Sequence, residues 1–484
     1  MLINLIYTPV MIQILGQSEY GLYTLVGSVV SYLSLFSLGF SGAYLRFYSR
    51  YANKNDKVGI ARLNGMFLVL FMVMSITAFV CGMVLSCFTG PIFGSNLTLE
   101  ELEKAEILMR FLVVNIAFTF PSSVMDSIIS SQEQFLFQRI VTLVGIICNP
   151  FICLPLLFLG YGSVAVVAVT TLITFTKLFV NSWYCLKKLH IQFDFHHFNW
   201  GLLKEMAGFS FFLFLNMIID QINWNLDKIL LGRIAGTIAV AVYGVGGQLN
   251  SLYISVSTTI SSVFAPKVNR IVSMNDDNKE LTRLFIKIGR IQYIVMALIL
   301  TGFIFFGEFF IQMWAGEGYE ASYRIALLLI IPVTIPSIQN IGIEIQRAKN
   351  MHKARSIVYL CIAMINVLIS IPCIFVWKEE GAAFGTAVSL FLGNGIFMNW
   401  YYHKKIGIDI ISFWKNIIRL SCGLIIPIVI GGIVKNYIYM NNIMEYIISI
   451  YFSILFFNLL FIFIILKFNP CLNCSCCECD FSYF

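Results

Sequence analysis

Thirteen apolar runs recur along the chain. They lie at Tyr20 to Phe47, Leu63 to Phe88, Ile107 to Ile129, Ile140 to Leu159, Ser163 to Cys185, Ala207 to Ile222 and Thr237 to Phe264. The rest are Phe285 to Trp314, Tyr323 to Ile345, Ile357 to Trp377, Ala382 to Tyr402, Ile417 to Val434 and Met444 to Leu466. Each approaches or exceeds the ~20 residues that carry a helix across ~30 Å of hydrocarbon. A further run, Leu2 to Leu15, is apolar but too short to span. It lacks the basic start and small-residue cleavage site of a signal peptide, so it reads as half a helix. Counted as span 1, it brings the expectation to about 14 transmembrane helices in an all-α polytopic membrane protein. Composition agrees: 59% hydrophobic and 12% charged residues do not cover a water-facing surface of ordinary polarity.

Cytoplasmic connections carry an excess of Lys and Arg. With the start of span 1 in the cytoplasm, only Lys104, Arg110, Lys228, Arg233, Arg324, Lys378 and Lys435, of 32 basic residues, fall on the outer side. Both termini are therefore expected in the cytoplasm. The net charge of +7 is accounted for by this orientation and by anionic lipid, not nucleic acid. Connections are short, and no extramembrane domain is expected. The longest outer one, near Thr89 to Glu106, offers Glu100, Glu101, Glu103 and Glu106 and little else.

The sequence also matches itself about 217 residues on. At an offset of 220, Tyr23, Gly27, Ser31, Ser37, Ser41, Arg50, Asn55 and Asp56 meet Tyr243, Gly247, Ser251, Ser257, Ser261, Arg270, Asn275 and Asp276. With small shifts Pro121 meets Pro336, Asn149 meets Asn366, Pro155 meets Pro372, and Trp183, Tyr184, Lys187 and Lys188 meet Trp400, Tyr401, Lys404 and Lys405. The expected organisation is an N-terminal lobe at 1–190 (spans 1–6), a C-terminal lobe at 200–406 (spans 7–12), spans 13–14 at 412–467 and a Cys-rich tail at 468–484. Six spans per copy is an even number, so both copies face the same way and an intervening cleft suits alternating access. Gly16 matches Gly236, which predicts that roughly fifteen to twenty residues of span 1 lie upstream or have been lost.

Ionisable groups in hydrocarbon need a partner or a cavity. On span 7, Asn216, Asp220, Asn223 and Asp227 fall at spacings of four, three and four, on one helical face. The stripe predicts either a hydrated cleft wall, with Asp220 exchanging a cation or proton, or a buried seam within the lobe. Ser337, Asn340, Glu344 and Arg347 on span 10 repeat the pattern, as do Ser122, Asp126 and Ser130 on span 4. Glu344 and Arg347 are spaced to pair with each other. Asp126 reads as isolated among apolar and serine neighbours and therefore as a protonatable switch. The stripe Arg283, Lys287 and Arg290 reads as a lipid anchor.

Four segments then carry a family likeness: SEYGLY from Ser18 to Tyr23, GFSGAYLRFYSRY from Gly39 to Tyr51, INWNLDKILLG from Ile222 to Gly232, and AVAVYGVGGQLN from Ala239 to Asn250. In this order, and placed on the repeat, they resemble the bacterial lipid-linked oligosaccharide flippases. These are the polysaccharide-export branch of the superfamily that also contains multidrug and toxin extrusion proteins. The resemblance implies a transporter of the cytoplasmic membrane that flips an undecaprenyl-diphosphate-linked oligosaccharide for O-antigen, capsule or exopolysaccharide, coupled to H+ or Na+. Its partners would be that substrate, membrane lipids, a polysaccharide polymerase and glycosyltransferases; no cofactor is implied. A diphosphate needs cations. Arg46, Lys177, Lys228 and Arg233 are the candidates, with Asn216 and Asn223 for polar contacts. Asp126, Asp220, Asp227 and Glu344 are the candidates for ion coupling. For each cation the plainer reading is snorkelling to headgroups. The alternatives are a multidrug or toxin antiporter of the same fold and an integral membrane polymerase or acyltransferase, although the small acidic outer loops suit an enzyme poorly.

Eight of the 13 cysteines are scattered through the spans as small apolar residues. Cys471, Cys474, Cys476, Cys477 and Cys479 crowd the tail, where the spacing falls short of a four-ligand zinc site. His190, His196, His197, His352 and His403 lie in or near inner connections without a carboxylate placed for catalysis. No phosphate loop, zinc-protease motif or nucleophile elbow occurs.

Overall fold

The computed structural model describes residues 2–196, 200–274, 277–349 and 351–422. His197, Asn275 and Asp276, most of span 13, span 14 and the five tail cysteines lie outside the described residues. The helices are α1 (Leu2–Ser31), α2 (Ser41–Ala52), α3 (Lys57–Ser86), α4 (Thr89–Phe93), α5 (Leu99–Ser131), α6 (Phe135–Phe158), α7 (Gly162–Trp183) and α8 (Trp200–Gln221). They continue with α9 (Asp227–Met274), α10 (Asn278–Ala315), α11 (Ala321–Ile338), α12 (Ile341–Ala348), α13 (His352–Leu390), α14 (Asn399–Tyr401) and α15 (Ile410–Cys422). Among the described residues there is no strand, and nine helical runs are long and apolar enough to cross a membrane.

Three of those runs are hairpins. In α9 the hydroxyl of Tyr243 donates to Asp227 at 3.0 Å across 16 residues, a separation that a straight helix would stretch to roughly 24 Å. The chain reverses at Gly236, whose φ of 84° is open to glycine at no steric cost. In α1 the side chain of Gln248 bonds both Thr8 and Tyr20, so this run also turns back, at Gly16 with φ 73°. In α13, Gly385 lies against Ser370 and the break is at Lys378. Gly16 and Gly236 are the pair matched by the repeat. The copies also share a π-helical turn at the same place, Tyr184–Lys188 and Tyr402–Ile406.

Span 2 is less regular than its apolar run suggests. A 3-10 stretch at Tyr32–Ser37 is succeeded by left-handed Leu38 and Gly39, which separate α1 from α2. Gly39 is needed here because a Cβ would collide with the Ser210 carbonyl and Leu213 of α8.

The chain forms two compact units. The first comprises Met1–Leu249, Trp314–Leu329 and His352–Gly393. Proline inside its helices removes an amide and leaves the carbonyl four residues earlier without its helical donor. In lipid that carbonyl must be satisfied from elsewhere. Pro9 frees the Leu5 carbonyl, which accepts from the Trp314 indole at 2.8 Å; Pro121 frees Ala117, which accepts from Ser75 at 2.7 Å. Charge links this unit as well, with Arg50 pairing Glu205 at 3.0 Å.

The second unit comprises Asn250–Met313, Ile330–Met351 and, among the described residues, 394–422. A polar thread holds its core. Tyr253 donates to the Met296 carbonyl and shares a bond with Thr334, Ser257 donates to the Ser337 carbonyl at 2.5 Å, and Gln292 donates back to Ser257. Phe285 packs against Tyr402 and Phe413. Span 10 breaks between α11 and α12, so Ser337 lies on one helix while Asn340 stands at the N-terminal boundary of the helix of Glu344 and Arg347.

Candidate functional site

A change of helical pitch falls inside the polar stripe of span 7. A π-helical turn at Ile222–Leu226 separates α8 from α9 and rotates the start of α9 away from the spacing of a regular helix. Burial differs along the stripe: Asp220 is exposed and acted on by the charge of Arg355, while Asp227 is 2% exposed. Asn216 accepts from Ser356 at 3.0 Å, and Asn223 is half-buried within the turn. Asn216 and Asp227 thus both face α13.

Asp227 heads a buried cluster. Its Oδ2 accepts from Tyr243 at 3.0 Å and from Thr386 at 2.7 Å. Beside them Ser370 donates to Asn366 Oδ1 at 3.0 Å, and Thr386 Oγ1 lies 3.5 Å from that same oxygen. Tyr243, Thr386, Asn366 and Ser370 are all buried, and the Asn366 Nδ2 has no partner. The hydrogen bonds to the carboxylate are all neutral, with Lys228 acting at longer range. A carboxylate buried among hydroxyl and amide oxygens is an arrangement that takes up a hard monovalent cation or a proton.

Asp126 is not isolated. Its Oδ2 accepts from Lys177 at 2.7 Å and its Oδ1 from Asn181 at 2.8 Å, both on α7. The separation of 51 residues hides this pair in the sequence, where each member stands out only by itself. Lys177, a candidate for phosphate, is therefore already engaged by a carboxylate. Arg46 is exposed on α2 with its guanidinium 4.6 Å from the centre of the Phe209 ring. Arg233 is exposed, and its carbonyl accepts from Asn96 at 2.7 Å. Glu344 and Arg347 pair at 3.0 Å, as their spacing predicts. Among the histidines, His196 lies 3.9 Å from Asp194 but is almost fully exposed. Among the described residues no group of three or more His, Cys, Asp or Glu side chains is placed to hold a metal.

The acidic connection near Thr89 to Glu106 holds more than its composition predicts. Thr98 caps α5 reciprocally with Glu101. Glu101 also accepts from Ser18 at 2.5 Å and from Thr237 at 2.8 Å. Glu19 pairs Lys104 at 2.8 Å and accepts from the Ser163 amide. Only contacts far apart in sequence reveal these bonds.

Hairpinned membrane helices in a duplicated chain, with carboxylates buried among them, define a polytopic membrane protein of transporter architecture. The solved structures agree on the fold. The chain superposes on the lipid II flippase MurJ in an inward closed conformation with a TM-score of 0.75, 14% identity, and coverage of 98% of this chain and 97% of that one. An inward-facing multidrug resistance MATE family transporter of the MOP superfamily gives a TM-score of 0.69, 12% identity, and coverage of 85% and 96%. Residues 10–324 match the model of the polysaccharide biosynthesis protein family, and the chain belongs to that family. A "Putative O-antigen transporter" of Shigella flexneri is 20% identical over 401 residues, 81% of this chain and 91% of its own length. The "Uncharacterized membrane protein EpsK" of Bacillus subtilis (strain 168) is 21% identical over 434 residues, 85% and 82% respectively. The likeness read from the four sequence segments is thereby borne out, and the proteins of named activity among these are transporters and flippases rather than enzymes.

Proposed function

We propose that this chain flips a lipid-linked oligosaccharide carried on a diphosphate across the cytoplasmic membrane for surface polysaccharide, driven by exchange of H+ or Na+ at Asp227. The supporting observation is the Asp227 cluster: a buried carboxylate, three neighbouring oxygen-bearing side chains and an unpartnered amide, in a member of the polysaccharide biosynthesis family. The first copy, 1–190, rocks against the second, 200–406, with both termini cytoplasmic. The prenyl chain stays in lipid, and exposed Arg46 meets the phosphates, where a fork of donors suits two oxygens. An antiporter of the same fold would prefer a cleft rich in carboxylates without cations, and here Lys177 pairs Asp126 at 2.7 Å.

Deleting the gene tests the proposal. Lipid-linked oligosaccharide should accumulate on the inner leaflet and surface polysaccharide should disappear. Intact polysaccharide with no trapped intermediate would refute it, and vesicle uptake of organic cations, abolished by Asp126→Asn, would favour the antiporter.

A further inference from the structure

Two carboxylates at the same end of the first unit have different tasks. Glu19 ties α1 to the start of α5 through Lys104 and to the start of α7 through the Ser163 amide, all within the first copy. Glu101 reaches between copies. Its Oε1 accepts from Ser18, just after the Gly16 reversal, and from Thr237, just after the Gly236 reversal. The two hydroxyls are 3.4 Å apart. Lys104, one turn beyond Glu101 on α5, is taken by Glu19, so Glu101 Oε1 is left to the two hydroxyls while Oε2 accepts from the Thr98 amide.

The surroundings show why these hydroxyls meet. A Cβ on Gly21 would fall inside the Thr237 carbonyl, so α1 and α9 touch backbone to backbone at this level. The reversal at Gly236 leaves the last carbonyls of span 7 without helical donors. Asn96, in the link before α5, supplies its side-chain amide to the Arg233 and Ile234 carbonyls. One connection from the first copy therefore clasps the turn of the second copy through an amide, and through a carboxylate it bridges the equivalent turns of both.

We propose that Glu101 is a latch holding shut the end of the transport path that carries the Gly16 and Gly236 turns, and that it must release Ser18 and Thr237 before that end opens. The inference rests on the alternating-access reading above, but it makes a claim of its own. Charge-assisted bonds from two hydroxyls to one carboxylate are directional and strong enough to favour closure, yet exchange readily with water once the turns part. Glu101 also caps α5, so its removal would confound two effects. Variants that separate them are available.

In the full-length protein in vesicles, Thr24→Cys places a thiol on α1 deeper than the latch, where Thr24 faces Gly244. Labelling by a membrane-impermeant maleimide from the latch side is read by the mass of the peptide, so native cysteines do not interfere. Ser18→Ala with Thr237→Val, which removes the latch and leaves the cap, should raise labelling at least threefold. Thr98→Ala, which removes the cap hydroxyl and leaves the latch, should leave labelling unchanged. Unchanged labelling in the first variant, or an equal rise in the second, would overturn the latch. This readout needs no substrate, so it can fail while the assigned cargo stands, or hold while the cargo proves wrong. If the double variant does not reach the membrane, Ser18→Cys with Thr237→Cys replaces it. In the Thr24→Cys background, oxidation should then lower maleimide labelling at least threefold and reduction should restore it; labelling undiminished by the crosslink would overturn the proposal.

Discussion

Tyr7 and Asp227 occupy corresponding positions in the two copies, at the spacing that also relates Gly16 to Gly236. Their surroundings correspond as well. Tyr7 donates to Cys153 at 2.9 Å, and Cys153 is the counterpart of Ser370. Asn149, the counterpart of Asn366, bonds Thr170 at 3.4 Å, one residue out of register with Thr386. The two copies thus build the same node from the same three helical segments. One is neutral, closed by a phenol and a thiol; the other places a carboxylate among oxygens. The repeat supplies a common scaffold, and divergence at these positions sets a carboxylate in one node where the other has a phenol.

The largest expected effect separates these nodes directly. Asp227→Asn should lower export of lipid-linked oligosaccharide at least tenfold and abolish its dependence on the ion gradient, whereas Tyr7→Phe should leave both near wild type; equal losses would mean that the asymmetry is not functional. A smaller effect concerns the other intramembrane carboxylate. Asp126→Asn leaves Lys177 without its counter-ion in a partly exposed site, which should cost about 1–2 kcal/mol in detergent unfolding. Asp126→Leu with Lys177→Met should recover most of that loss and keep ion coupling. If the double variant is uncoupled, Asp126 is a second ion site and the comparison fails.

Smaller again is the effect at the proline carbonyls. Trp314→Phe strands the Leu5 carbonyl and should cost ~1 kcal/mol, and the cost should vanish on a Pro9→Ala background, where the helix supplies its own amide. Thermal unfolding of the four proteins of this cycle decides it. The smallest effect lies outside the membrane. Hydrogen bonds from the Ser412 hydroxyl and amide hold the Asp409 carboxyl below its ordinary range. A depressed value means the stabilisation is present above the unfolded pKa of roughly 4 and is lost as pH falls through the folded one. Amide exchange at the start of α15 should therefore rise only in that acid window, and Asp409→Asn should abolish the pH step.

Spans were legible because lipid imposes a long apolar run on each, and the turns at Gly16 and Gly236 were legible because the repeat aligned them. The π-helical turn at Ile222–Leu226 was not legible: a single local change of pitch leaves no mark on composition, although it immediately precedes Asp227. Nor were the partners of Asp126 and Asp227, which lie 51 and 159 residues away in sequence. One signal for the second of these is present in the chain. Asn149 and Asn366 match across the copies, an amide kept twice in the middle of apolar spans, and both sit at the corresponding nodes.

The single-residue reversal at Gly236 bears on how the chain enters the bilayer. A turn with no loop keeps its two arms adjacent, which suits their entry into lipid as one helical hairpin. Because Tyr243 faces Asp227 across that turn, the hairpin carries a hydrogen-bond donor for its own carboxylate into lipid. Biogenesis of the charged node then does not have to wait for α13 to arrive with Asn366 and Thr386.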